Sequence, residues 1–189
     1  QKITRKDFFE YIDERYAPNN IVVSLAGNFE RDKTIADIKV KFGRALKRDV
    51  PGFLPVSENQ RKPAVAVTYK KTDQAHLVVG VRGFKTGHPD RYAVAVLATI
   101  LGGGMSSRLF ENVREKRGLA YYVRADHESY MDTGTLAASA GVDLKRIDEA
   151  IAVILEEFKL ITKVRVLDRE LKKAKEYIKG KIILSWEDS

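Results

Sequence analysis

The order of strand-like and helix-like segments after residue 63 is the feature that most constrains this fold. Two β-branched segments, Ala64–Tyr69 and Ala75–Arg82, precede two helical patterns, and a second pair, Leu119–Glu128 and Thr133–Val142, precedes two more. Because short turns join the strands within each pair, the strands should run antiparallel. The sequence therefore predicts an α+β fold with two layers, a largely antiparallel sheet with helices packed on one face.

The helices of this part have recognisable start and stop signals. Asp90 is a candidate N-cap, and Gly118 follows a helical pattern in the position that a left-handed C′ glycine takes. We expect helices that begin near Asp90, Ser107, Asp143 and Asp168.

The N-terminal part has only one strand-like segment. Thr4 is the N-cap of a first predicted helix, Ile21–Ala26 predicts a buried strand, and Arg31–Ala45 predicts a second helix. A single strand cannot form a sheet, so this one needs a partner from the rest of the chain or from another chain. We therefore expect a homo-oligomer.

Prolines and charges interrupt the apolar pattern between the two parts. We interpret residues 1–46 as the C-terminal tail of a first domain, 47–63 as a linker and 64–189 as a second domain, truncated at its C-terminus. The chain starts at Gln1, and its last helical pattern meets no stop signal before Ser189. These features predict a fragment of a longer protein.

The net charge of +8 is partly concentrated near the C-terminus, where residues 159–181 hold nine basic and three acidic side chains. A solvated helix face accounts for such a stripe, and an anion-binding or nucleic-acid-binding helix is the alternative. No aromatic residues interleave with these charges in a nucleic-acid-binding pattern, so we expect no nucleic-acid partner. No apolar run approaches the roughly 20 residues of a membrane span.

Metal and thiol chemistry have little support in this segment. The chain has no cysteine, and its three histidines, His76, His88 and His127, show neither H-x-x-E-H nor H-E-x-x-H spacing. His127 precedes Glu128, but neighbouring strand residues point to opposite faces of a sheet. We expect no metal ligands here.

Two segments are candidates for substrate binding. The glycine run 102–104 follows a helix, and its lack of side chains permits either a tight helix–helix junction or a backbone open to a peptide, with Gly103 and Gly104 as substrate-binding residues. Arg114 and Tyr121 lie on either side of Gly118, and a guanidinium and a phenol can together hold a peptide carbonyl or an oxyanion. The alternative is that Arg114 compensates the helix C-terminus and Tyr121 simply packs.

Several runs of this sequence resemble the insulinase/pitrilysin family of zinc peptidases, in particular the branch that contains the mitochondrial processing peptidases and their bacterial relatives. The resemblance covers nearly the whole chain, including residues 5–8 and 16–23 near the N-terminus. Its most specific parts are H-P-D-R-Y at 88–92, L-G-G-G-M-S-S-R-L-F at 101–110 and R-E-K-R-G-L-A-Y at 114–121.

The resemblance implies paired α+β domains that enclose a peptide chamber. In that family one half carries zinc on H-x-x-E-H with a distant Glu, and the other half supplies an Arg and a Tyr seven positions apart. Arg114 and Tyr121 match that pair, which implies catalytic and substrate-binding roles for both. The zinc motif is absent from this sequence, so zinc would belong to the full-length enzyme or to a partner subunit.

The expected function is therefore that of a fragment of a zinc-dependent metalloendopeptidase subunit that supplies the Arg/Tyr half of the chamber. Its partners would be a peptide substrate and the missing zinc-bearing domain or subunit, and the isolated chain would be inactive. The alternative is a non-catalytic or structural subunit of a peptidase-like heterodimer. A bacterial cytoplasm fits this interpretation, and a mitochondrial matrix is the alternative.

Overall fold

The computed structural model of the protein describes residues 2–43 and 47–187. Contacts between residues divide the chain into two compact units, residues 1–55 and residues 56–189, which we describe separately. Among the described residues, no helix combines the length and the apolar character needed to cross a membrane.

The first unit is built from helices. Helix α1 (Arg5–Arg15) starts at the predicted Thr4, whose hydroxyl accepts the Asp7 N–H while the Asp7 carboxylate accepts the Thr4 N–H. Helix α2 (Arg31–Phe42) starts as predicted, and its expected end at Ala45 lies outside the described residues.

The strand predicted at Ile21–Ala26 is wrong. Within the described part of the chain this segment pairs with no strand, and the side chain of Val22 is 90% exposed. Strand propensity reflects packing on a pleated, half-buried surface. The described sheet does not include this segment, so its apolar side chains remain in solvent.

The second unit contains a three-stranded antiparallel sheet. Strands β1 (Gln74–Arg82), β2 (Ala120–Ser129) and β3 (Gly134–Asp143) lie in the order β1-β3-β2. The strand predicted at Ala64–Tyr69 and the turn expected after it are wrong, because that segment is irregular and exposed. The described sheet therefore has three strands where the sequence predicted four.

Helices cover one face of this sheet, which confirms the predicted α+β class. Helix α3 (Arg91–Gly102) contacts β2 and β3, helix α4 (Ile147–Lys163) contacts β1 and β3, and helix α5 (Asp168–Glu187) packs on α3. Alternate residues of the central strand β3 face the helices and are buried. They are Leu136, Ala138, Ala140 and Val142.

Two helix starts differ in detail from the prediction. Asp90 occupies the N-cap position of α3, but its side chain makes no capping hydrogen bond, and its backbone N–H instead donates to Nδ1 of His88. Asp143 does not start α4 directly. Its carboxylate accepts the Lys145 N–H of a short 3₁₀ turn, Leu144–Arg146, and α4 follows that turn.

Candidate functional site

The segment that carries Arg114 is a π-helical turn, Phe110–Glu115, where the sequence predicted a regular amphipathic helix. The Lys116 N–H donates to the Glu111 carbonyl, five residues earlier, at 2.9 Å. The side chain of Val113 is fully buried in this turn. Short π-helical turns occur frequently at functional sites.

Arg114 itself is exposed, next to the buried Val113. The Cζ atom of its guanidinium lies 4.8 Å from the centre of the Phe110 ring, within the range of a cation–π contact. This contact favours one orientation of the guanidinium while the charge stays accessible.

A glycine turn ends the π-helical segment and connects it to β2. Gly118 has φ +58°, which confirms the predicted left-handed C′ glycine. The N–H groups of Gly118 and Leu119 donate to the carbonyls of Arg114 and Val113, at 2.9 and 2.8 Å. Because these bonds satisfy two of the last carbonyls, the helix end does not require the Arg114 side chain as its cap.

Tyr121 lies in a β-bulge. Ala120 pairs with Val142 and Tyr122 pairs with Gly141, so Tyr121 is an extra residue with no partner on β3. Its side chain is 59% exposed and borders an open cavity of about 170 Å³ between the Gly118 turn and the end of β3. Bulges near active sites commonly redirect one side chain in this way.

The next residue, Tyr122, is fixed on the sheet face opposite the helices. His76 and Tyr122 both pair with Gly141, and the Tyr122 hydroxyl lies 3.1 Å from Nδ1 of His76. A Cβ atom on Gly141 would lie 2.5 Å from the Tyr122 ring. Gly141 thus leaves the space that lets these two side chains meet beside the bulge.

The structure brings Arg114 and Tyr121 to the two ends of one short connection. Both side chains are exposed, while Val113 and Leu119 between them are buried. Among the described residues, no hydrogen bond joins the guanidinium to the phenol. Their roles as catalytic and substrate-binding residues stay predictions.

The glycine run after α3 is a site of close packing. A Cβ atom on Gly102 would lie 2.1 Å from the backbone nitrogen of Ala125 in β2, and one on Gly104 would lie 3.4 Å from the Tyr177 ring of α5. The junction at Gly102 is therefore between a helix and a strand, whereas Gly104, two residues after the end of α3, packs against α5. Gly103 and Gly104 are partly exposed, and their substrate-binding role stays a prediction.

Two polar pairs that the sequence analysis missed connect the π-helical turn, and Arg108 just before it, to the helices beside them. The Asn112 amide donates to the Glu157 carboxylate of α4 at 2.6 Å, and Arg108 makes a two-pronged ion pair with Glu170 of α5 at 2.7 and 2.8 Å. Burial raises the pKa of Glu157, whereas the hydrogen bond from Arg108 lowers the pKa of Glu170.

The sequence carried a signal for Glu157. It lies three residues after Ile154 and four before Ile161, which is the spacing of the buried stripe of α4. Leu155 also fits the apolar pattern of α4 in the sequence, but its side chain is 51% exposed.

The histidines have packing partners. The Phe84 N–H donates to Nε2 of His127 at 3.3 Å, the His88 ring stacks on Phe84, and Glu128 accepts the Tyr130 hydroxyl. Across residues 2–43 and 47–187, no three His, Asp or Glu side chains are grouped so that they could hold a metal ion. The described residues therefore do not fit a zinc site.

Comparison with known proteins identifies the family. Residues 2–178 match the profile of the peptidase M16 inactive domain. The chain belongs to the peptidase M16 family. This confirms the predicted relation to the insulinase/pitrilysin peptidases, while the processing-peptidase branch stays a prediction.

Relatives of this M16 chain are bacterial proteins named as zinc proteases. The uncharacterized zinc protease YmxG of Bacillus subtilis (strain 168) is 36% identical over 181 residues, which cover 95% of this chain and 43% of that protein. An uncharacterized zinc protease of Mycobacterium leprae (strain TN) is 34% identical, over 99% of this chain and 43% of that protein. The chain thus spans less than half the length of these relatives.

Solved structures have the same fold. The peptidase M16 inactive domain from Pseudomonas fluorescens is 26% identical, with a TM-score of 0.74 over 94% of this chain and 43% of that one. A protease from Helicobacter pylori, 22% identical, gives a TM-score of 0.77 over 97% of this chain and 45% of that one.

Proposed function

We propose that this M16 chain supplies the Arg/Tyr substrate-binding half of the peptide chamber in a zinc-dependent metalloendopeptidase. The observation that carries the proposal is the placement of Arg114 and Tyr121. Each is exposed at a backbone irregularity, one in a π-helical turn and one in a β-bulge, on either side of a connection anchored in the core. Irregularities of both kinds are frequent at functional sites, which supports a role for the exposed side chains.

The chemistry of the pair suits a peptide backbone. A guanidinium and a phenol both donate hydrogen bonds, and together they can orient a carbonyl and stabilise negative charge that develops on its oxygen. Gly103 and Gly104 lack side chains and would let a peptide backbone approach closely. Zinc, held by residues outside this chain, would polarise the scissile carbonyl and activate water.

The proposed partners follow from the placement of zinc outside this chain and of the Arg/Tyr pair within it. The zinc-bearing domain or subunit would complete the chamber, with residues 1–46 as the tail of a first peptidase-like domain and 64–189 as most of a second. We also propose that the chain associates with further copies of itself. The relatives named above are bacterial, and a bacterial cytoplasm is the proposed location.

A non-catalytic subunit is the second candidate function. The observation in its favour is that the matching profile describes an inactive domain. In that case the chain would stabilise a peptidase-like assembly without contributing to turnover. The presence of H-x-x-E-H in the full-length protein, together with one zinc ion per assembly by metal analysis, would favour the enzyme.

The experiment is a comparison of variants in the intact protease. Arg114→Ala and Tyr121→Phe are each expected to lower peptide turnover about 100-fold, the usual effect of losing a donor that binds the developing charge. Zinc content should not change, because neither side chain is proposed to bind the metal.

Arg165→Ala and Tyr69→Phe are matched controls, since both residues are almost fully exposed and lie away from the pair in sequence. The control variants should retain wild-type turnover. Wild-type turnover in Arg114→Ala and Tyr121→Phe would refute the proposed pair. The isolated chain should hydrolyse no generic peptide.

A further inference from the structure

Helix α4 carries a carboxylate on its buried side. Glu157 is only 6% exposed and follows Ala150, Val153 and Ile154 on the face that packs against the sheet. A carboxylate at such a position is unfavourable unless it is hydrogen-bonded. Replacement of both members of such a buried polar pair by apolar residues of similar volume is often neutral or stabilising. The presence of Glu157 here therefore needs a reason other than stability.

The partner of Glu157 is in the π-helical turn. The Asn112 Nδ2 donates to Oε1 of Glu157 at 2.6 Å, and the Asn112 Oδ1 accepts the Lys116 ammonium at 2.9 Å. Lys116 also provides the N–H that defines the π-helical hydrogen bond to Glu111. The chain Glu157–Asn112–Lys116 thus links α4 to the residues at which the turn departs from α-helical geometry.

The groups around Glu157 shift its pKa in both directions. Burial raises its pKa, the hydrogen bond from Asn112 and the charges of Arg108 and Lys116 lower it, and the charge of Glu156 raises it. A neutral acceptor at position 157 could take the place of the carboxylate in the hydrogen bond with Asn112, because a carboxamide oxygen also accepts hydrogen bonds.

We propose that Glu157 is a positioning residue for Arg114: it accepts the Asn112 amide and so holds the turn in its π-helical register. This inference rests on the proposed function of Arg114. Arg114 is two residues after Asn112 in the same turn. If the hydrogen bonds of the turn shifted by one residue to the α-helical pattern, a side chain on the turn would rotate by about 100° around the helix axis. Arg114 would then face a different direction.

The test uses Glu157→Leu and Glu157→Gln in the intact protease, with Glu156→Leu as the control on the exposed side of α4. Leucine fills similar volume but accepts no hydrogen bond, whereas glutamine keeps an acceptor. We expect Glu157→Leu to remain folded but to unfold at a somewhat lower urea concentration than the wild type, because the Asn112 amide loses its acceptor, and to bind zinc normally. Its kcat/KM should fall about 10- to 100-fold, since a displacement of about 1 Å can have that effect.

Glu157→Gln should stay within about threefold of wild-type kcat/KM, because the acceptor is retained. The Glu156→Leu control should match the wild type. If Glu157→Leu does not fold, the double variant Asn112→Ala with Glu157→Leu removes both polar partners and leaves neither unpaired. The same loss of kcat/KM is expected in it.

A crystal structure of Glu157→Leu or of the double variant provides a readout independent of turnover. The expected result is loss of the hydrogen bond from the Lys116 N–H to the Glu111 carbonyl and movement of Arg114 from the Phe110 ring. An unchanged π-helical turn, wild-type kcat/KM in Glu157→Leu, or an equal loss in Glu157→Gln would each overturn the inference.

Arg114→Ala, measured beside these variants, separates the two proposals. Full turnover in Arg114→Ala refutes the proposed function, whatever the turn does in the crystal. Impaired turnover in Arg114→Ala with unimpaired turnover in Glu157→Leu refutes only the positioning role of Glu157.

Discussion

Replacement of Gly102 by alanine tests the close contact between α3 and β2. Gly102 is the last residue of α3, and an added Cβ atom would lie 2.1 Å from the Ala125 nitrogen and 2.6 Å from the Arg124 carbonyl carbon. Both are backbone atoms of a strand that is hydrogen-bonded to β3. They cannot move aside as a flexible side chain could, so the helix and the strand must separate.

The separation needed sets the size of the effect. Ordinary contact starts at 3.4 Å, so the two elements must move apart by about 1.3 Å around a fully buried Leu101. Overpacking of this kind costs about 1–3 kcal/mol, and collision with backbone favours the upper end. Alanine gains up to about 1 kcal/mol in a helix interior, but little of this applies at a helix end. We expect the free energy of unfolding to fall by about 2–3 kcal/mol, the upper part of that range.

Urea unfolding followed by circular dichroism measures this difference. Gly104→Ala is the matched control, because its Cβ would meet only the Tyr177 ring, at 3.4 Å. That variant should lie within about 0.5 kcal/mol of the wild type. Equal stability of Gly102→Ala and the wild type, at an unchanged denaturant slope, would show that the argument from contact distance is wrong.

Three further predictions concern charge and association. Arg108 lowers the pKa of Glu170 below its ordinary 4.5, so this group stabilises the fold above that pH and the contribution is lost as the pH falls through the folded-state pKa. Glu170→Gln should therefore lower stability at about pH 7 and have little effect at the acid end of a urea series, and a pH-independent difference would contradict this. The pKa of Glu157 is raised, so ionisation of this group opposes folding, and stability rises as the pH falls through its folded-state pKa. Glu157→Gln should therefore be at least as stable as the wild type at about pH 7, and any advantage should shrink towards about pH 4. A less stable variant at neutral pH would contradict this. In sedimentation velocity, the isolated chain should form dimers or larger species, because the apolar side chains around Val22 are exposed in the described structure, and a single monomeric boundary would contradict this.

Signals that act within one segment predicted the helices well. The N-cap at Thr4 and the left-handed glycine at Gly118 depend on residues a few positions apart, so the sequence contains all the information they need. The strand pair β2 and β3 was also predictable, because a short turn joins its members.

Features that depend on distant partners were not predictable in the same way. Ala64–Tyr69 has the composition of a strand as clearly as β1 does, but only β1 pairs with β3. Sequence composition does not say which strand-like segment obtains a partner.

The roles of Arg114 and Tyr121 stay predictions that depend on the family resemblance, and the backbone geometry at both residues was not predicted. The π-helical turn and the β-bulge that present them are shifts of hydrogen-bond register by one residue, and such shifts leave the apolar pattern almost unchanged.

Tyr121 is the extra residue of the bulge, so the pairing of β2 with β3 does not depend on it. Because Ala120 and Tyr122 already pair with consecutive residues of β3, excision of Tyr121 would join them into an uninterrupted ladder. Val123 and Ala125 would still face the core. Deletion of any later residue of β2 would instead move the side chains that follow it to the opposite face of the sheet. The chain can thus gain or lose this side chain without redesign of its core, which makes the phenol a modular addition to the scaffold.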